Sequence, residues 1–134
     1  MSYLFETHMH TAECSRCAQT QAKDQIKTAF MKGYSGAVIT DHFYPSSSYM
    51  PDRNLPWKEQ IKQFSLGWEA AREEGEKLGL KVFFGLEMAF PSYDMLTYGV
   101  IPDQLEKMPE LQEFSFEKLA AEKNRRQVNY DVVI

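Results

Sequence analysis

Histidine and cysteine are scarce in this 134-residue chain, with three of the first and two of the second. Two cysteines leave no second pair to complete a four-thiolate zinc site. No uninterrupted apolar run reaches membrane length. The start lacks a basic segment followed by an apolar secretory stretch. Neither a membrane span nor export is therefore expected, and a cytoplasmic location is the default. Excess positive charge is also missing: the formal net charge is -4, which argues against broad nucleic-acid binding. No flavin or nicotinamide motif is present, which sets redox cofactor chemistry aside. What remains is a chain of single-domain length, with enough apolar residues (43%) to build a core.

Because histidines are few, their positions are informative. Residues 3–10 read Y-L-F-E-T-H-M-H, a short strand pattern running into His8 and His10. In extended chain, residues i and i+2 share a face, so the two imidazoles can meet one metal ion. His42 ends a second apolar stretch, G-A-V-I-T-D-H, and Glu87 ends a third, V-F-F-G-L-E. Ligands in parallel α/β folds gather at the C-terminal ends of strands. Three strands finishing in metal-capable groups point to one shared site. The competing reading gives each group a separate capping or surface role, although a carboxylate buried at Glu87 needs a partner.

Along the chain, strands are expected at 3–7, 36–40, 81–86 and 95–100. Helices are expected at 21–32, with Thr20 as cap and Gly33 as stop, and at 57–78, 102–108 and 114–123. Ala22, Ile26, Ala29 and Phe30 form the core-facing stripe of the first helix. Ile61, Phe64, Trp68 and Ala71 form that of the second. Residues 43–56 read as a long loop, 128–134 as a final strand. Strands alternating with helices give an α/β class with a mainly parallel sheet or part of an α/β barrel.

Several chemical roles follow. His8 and His10 hold one metal, Glu87 bridges it to a second, and His42 helps bind the other. Asp41 orients an imidazole or approaches the metal itself. Glu13 is a further candidate ligand, with a salt bridge as its alternative. Arg16 is a candidate for substrate phosphate, or an exposed loop charge. Tyr44 and Tyr98 either line the pocket or fill half-buried positions, and Asp94 supports the loop after Glu87. Cys14 and Cys17, in C-S-R-C, suit redox chemistry, half a zinc site, a loop that shapes the pocket, or two reduced thiols. A metal that activates water and neutralises phosphoryl charge fits hydrolysis of a phosphate ester.

T-H-M-H-T-A-E-C-S-R-C at 7–17, G-A-V-I-T-D-H at 36–42, F-F-G-L-E-M at 83–88 and Y-D-M-L-T-Y-G at 93–99 resemble, in that order, the polymerase-and-histidinol-phosphatase (PHP) family of metal-dependent phosphoesterases. The resemblance covers nearly the whole chain. It implies a partial or distorted (β/α)7 barrel with parallel strands and flanking helices, and a centre of two or three metals. His8, His10 and His42 match its histidines, and Glu87 its bridging glutamate. In some members another histidine follows the first motif; here Glu13, Cys14 and Ser15 occupy that region. Zinc, manganese and iron all suit such ligands. The family's later histidines and Asp-x-His motif have no counterpart after His42. Residues 1–134 therefore read as the N-terminal portion of a PHP-like domain: a fragment, a truncated product or a diverged C-terminus. The expected partners are a small phosphorylated substrate and, for exposed sheet edges, a homo-oligomer or a complementary chain. The competing functions are an inactive metal-binding PHP-like fragment and an α/β interaction domain without metal.

Overall fold

The computed structural model describes residues 3–90 and 93–113. The strands are β1 (Phe5–Met9), β2 (Gly36–Ile39), β3 (His42–Phe43), β4 (Lys81–Phe90) and β5 (Tyr93–Tyr98). The helices are α1 (Ala22–Met31), α2 (Trp57–Phe64), α3 (Leu66–Leu78) and α4 (Pro102–Leu105), followed by a 3-10 turn at Pro109–Glu113. No described helix is long and apolar enough to cross a membrane. The expected helix at 114–123 and strand at 128–134 lie outside the described residues.

β1, β2 and β4 run parallel, with β2 between the other two. β3 carries the β2 chain onward along the same edge of β4: Gly36 faces Lys81, and His42 faces Glu87. The parallel core is as expected. The fourth strand is not parallel, because the stretch after Glu87 is no loop. β4 continues to Phe90 and pairs antiparallel with β5, from Gly85–Tyr98 to Phe90–Tyr93. The run Phe84–Met88 is buried on both faces, and pairing with β3 on one edge and β5 on the other carries the strand past Glu87.

Register sorts the side chains. Ala37 and Ile39 join Ala22, Ile26, Ala29 and Ala71 in a core that packs α1 and α3 on the sheet. Phe43, Phe84, Leu86 and Met88 join Ile61, Phe64, Met95 and Leu105 in a second core. Phe30, expected inward, is instead 47% exposed. The opposite face carries Phe5, Val38, Phe83, Gly85 and Glu87.

The expected helix at 57–78 is broken at Ser65. Cys14 causes this by entering the hydrogen-bond ladder. Gly67 N–H donates to Cys14 Sγ (3.3 Å), and the thiol donates to the Phe64 carbonyl (3.1 Å). The break brings the Gly67 backbone onto Thr11 and Asp41. A Cβ at Gly67 would overlap Thr11 Oγ1 and lie 3.0 Å from Asp41 Oδ2.

Candidate metal centre

A bulge in β1 aims the two histidines. Glu6 pairs with Ala37 and Met9 with Ile39, so three steps along β1 match two along β2. Simple alternation would put His8 and His10 on the face opposite Phe5. The extra residue returns them to it. Met9 turns instead toward the helices, packing beside Ile39.

His8 and His10 thereby meet Glu87. His8 Nε2 lies 2.8 Å and His10 Nε2 2.5 Å from Glu87 Oε2, and the two nitrogens are 3.0 Å apart. Glu87 is 2% exposed. His42, its cross-strand partner, places Nδ1 3.8 Å from Glu87 Oε1. The His10 and His42 rings are 4.3 Å apart. Burial pushes the Glu87 carboxyl up, but hydrogen bonds from His8 and His10 and the charge of His42 outweigh it, and its pKa ends below the usual value. Burial lowers that of His42, in spite of Glu87.

This donor set fits a cation. Ligand atoms about 2.0–2.2 Å from a shared zinc ion lie about 3–3.6 Å from one another. The His8–His10 separation of 3.0 Å reaches that spacing, and the two contacts to Glu87, 2.8 and 2.5 Å, are tighter. With the two imidazole nitrogens only 3.0 Å apart, protons carried on both toward the one carboxylate oxygen crowd each other. A cation between them removes the conflict. His42 Nδ1 is buried without a hydrogen-bond partner among the described residues, a place that a cation would fill.

Asp41 stands apart. Alternation turns it to the helix face while His42 takes the other. Its Oδ1 accepts from Thr11 N–H (2.6 Å) and the Ser15 hydroxyl (2.7 Å), and its Oδ2 from the Thr11 hydroxyl (2.7 Å). The carboxylate expected beside an imidazole or the metal thus holds the loop that follows His10. Ser15 Oγ in turn accepts from His42 N–H (2.9 Å). Burial pushes the Asp41 carboxyl up to about 6 against those hydrogen bonds.

Glu13 lies outside the cluster too. Both its oxygens accept from Ala22 N–H at 3.1 Å. It supplies the cap of α1 that Thr20 was expected to give: the residue before the helix is Gln21, without a side-chain cap bond. Arg16 is exposed on the same loop, its N–H donating to the Ser48 carbonyl (3.0 Å). Tyr44 is buried in the second core and donates to Gln60 Oε1, while Tyr98 donates to the Thr7 carbonyl. Asp94 is exposed on β5.

Sequence reasoning did not place Cys17 among the ligands. Its sulfur lies 3.2 Å from His10 Nδ1, and it joins His10 and His42 in a second group of three donors within 4.8 Å of one another. The sequence hints were the C-S-R-C spacing, which suits half a zinc site or a pocket-shaping loop, and its place seven residues beyond His10. Both cysteines are free, yet their settings differ. Burial pushes the Cys14 thiol up to about 12. In the folded protein, iodoacetamide is therefore expected to modify Cys17 and to spare Cys14, with both reacting in urea. Equal labelling rates in the folded state, read by peptide mass mapping, would contradict that arrangement.

The PHP domain profile matches residues 6–133. The chain belongs to the PHP domain family. Among solved structures, the chain is similar to a proposed metal-dependent phosphoesterase from Bifidobacterium adolescentis, at 19% identity and TM-score 0.52, over 95% of this chain and 36% of that one. It is also similar to a two-domain protein from Bacteroides vulgatus containing a predicted PHP-like metal-dependent phosphoesterase (13% identity, TM-score 0.52, 81% of this chain and 32% of that one). A third is an amidohydrolase from Chromobacterium violaceum with bound sulfate and no metal (14%, 0.52, 91% and 36%). At these identities the likeness is one of fold. The chain spans about a third of the length of each. No curated protein matches it.

Proposed function

We propose that this PHP chain carries the metal half of a hydrolase site that cleaves phosphate esters, and that its sheet is part of the family's distorted (β/α)7 barrel. The convergence of His8, His10 and Glu87 on one point carries the reading. His8 Nε2, His10 Nε2 and Glu87 Oε2 would hold one divalent cation: zinc, manganese or iron. Glu87 Oε1 and His42 Nδ1 would face a second.

When bound, such cations neutralise charge on the phosphoryl oxygens and make water a better nucleophile. The chain's own residues do the rest. Glu87, anchored in mid-strand and buried, fixes the distance between the two positions. Asp41 acts as a positioning residue: through Thr11 and Ser15 it ties the loop after His10 to the backbone of His42. Arg16, exposed on that loop, would take substrate phosphate in its guanidinium fork. A cleft of ≈ 600 Å³ lined by His8, His10, Cys17, Gln25 and Lys32 gives a small phosphate monoester or a nucleotide room to enter.

The test is hydrolysis of p-nitrophenyl phosphate by the chain after zinc, manganese or iron loading. Turnover that falls at least about 100-fold in His8→Ala and His10→Ala supports the reading. Stoichiometric metal without turnover would favour a metal-binding module. Turnover unchanged by either substitution would contradict the site.

A further inference from the structure

We propose that Cys17 is a metal ligand of this centre, meeting the second cation together with His42 and giving the site a preference for zinc over manganese. The inference rests on the metal-centre reading above. Three observations on this chain carry it. The Cys17 sulfur, one nitrogen of His42 and one of His10 lie within 4.8 Å of one another. His42 Nδ1 is buried and has no hydrogen-bond partner among the described residues. The loop holds Cys17 in place from both sides, since Arg16 N–H donates to the Ser48 carbonyl and Ala18 N–H to the Ser15 carbonyl, each at 3.0 Å.

The loop also sorts its two thiols. Cys14 is bonded to the α2–α3 break and is 0% exposed, so it has no access to the centre. Cys17 is exposed and lines the cleft beside His8 and His10. Its 3.2 Å approach to His10 Nδ1 serves the first cation as well. When Nδ1–H donates to the sulfur, the lone pair of His10 sits on Nε2, which faces His8 and Glu87. Partners on the far ring nitrogen commonly fix ligand histidines in this way.

A thiolate changes the metal preference. Imidazole and carboxylate ligands accept zinc, iron and manganese alike, whereas a soft sulfur ligand favours zinc over manganese. Binding forms one sulfur–metal bond and breaks the S–H bond. The proton passes to solvent and no oxidation state changes. Oxidation or alkylation of the sulfur would then remove one ligand while leaving the His8–His10–Glu87 position intact.

Cobalt(II) is the probe, because a cobalt–thiolate bond gives a near-ultraviolet charge-transfer band that nitrogen and oxygen ligands do not. The whole chain, freed of metal and titrated with cobalt, is expected to show this band together with visible ligand-field absorption. Cys17→Ser should lose the band and keep ligand-field absorption, and its zinc-over-manganese preference in competition should fall about tenfold or more. In the wild type, zinc should slow alkylation of Cys17 at least about tenfold, a measurement that does not depend on the variant folding. Cobalt bound without the band, and lost in His8→Ala, would overturn the Cys17 ligand and leave the metal centre standing. A band that persists in Cys17→Ser, or alkylation unaffected by zinc, would also overturn it. No cobalt binding at all would overturn both readings.

Discussion

Replacing Glu87 with glutamine is expected to abolish cation-dependent stabilisation while leaving the metal-free fold standing. Glu87 is 2% exposed and sits in mid-strand between β3 and β5, where His8, His10 and His42 hold its carboxylate ionised against burial. The amide is nearly the same shape and needs no counter-charge. The metal-free variant should therefore match the wild type to within about 1 kcal/mol. The cation loses more. Among the described residues, Glu87 is the one acidic group that reaches both His8 and His10 at one oxygen and approaches His42 at the other. A cation that binds only the folded state at 100 times its Kd stabilises by about 2.7 kcal/mol. For a chain of this length that is a shift of roughly 10 °C in Tm. Thermal unfolding with and without zinc should show such a shift in the wild type and almost none in Glu87→Gln. An equal shift in both proteins would place the cation elsewhere. A metal-free variant that fails to fold would mean that the carboxylate holds the sheet together, in place of a cation.

Asp41 should show the opposite pattern, with a large effect on the fold. Three donors from Thr11 and Ser15 converge on its carboxylate inside the protein. Asp41→Ala strands a buried N–H and two hydroxyls, at a cost of about 2–4 kcal/mol. It also frees the loop that carries Cys17 and backs His42. Asp41→Asn keeps most of the network: the amide oxygen accepts from Thr11 N–H and Ser15, and the amide nitrogen donates to the Thr11 hydroxyl. The two variants should separate clearly in urea titrations of metal-free protein. The pH dependence separates wild type from Asn. The carboxyl pKa is raised to about 6 in the fold from an ordinary 3.8, so the folded state binds the proton more tightly. Its contribution is fully present below about pH 4 and is lost as pH rises through about 6, by at most about 3 kcal/mol. Asp41→Asn should lack that decline. Identical pH profiles for the two proteins would show that the fold leaves the Asp41 pKa where it lies in the unfolded chain.

The local elements were legible where periodicity is strong. α1 follows its Ala22–Ile26–Ala29 stripe and stops near Gly33, whose φ of 83° suits glycine. The parallel core of β1, β2 and β4 follows from short apolar strands separated by helices. Legibility failed where a distant residue decides. The break at Ser65 depends on Cys14, fifty residues earlier, and no helical pattern within 57–78 announces it. β5 was expected as a strand at 95–100, but its antiparallel pairing with β4 was not, because Pro91 and Ser92 read as a loop.

At the site, His8, His10, His42 and Glu87 were legible as strand-end groups. The geometry that unites them was not, because the β1 bulge is a property of pairing with β2 rather than of the β1 sequence. Alternation alone put His8 and His10 on one face without saying which. Glu13 and Asp41 looked like ligands because acidic residues near histidines do. Their donors, Ala22 N–H and the Thr11–Ser15 loop, appear only once the chain is folded. Cys17 shows the reverse case, a thiol read only as half of the C-S-R-C pair and carried to His10 by a loop closure that spacing does not reveal.

The central claim is that one cation sits among His8, His10 and Glu87. Anomalous diffraction from zinc- or manganese-loaded crystals tests it most directly. A peak is expected bonded to His8 Nε2, His10 Nε2 and Glu87 Oε2, about 2.0–2.2 Å from each. A fully loaded crystal with its anomalous peak elsewhere, and with the two imidazoles still hydrogen-bonded to the carboxylate, would contradict it.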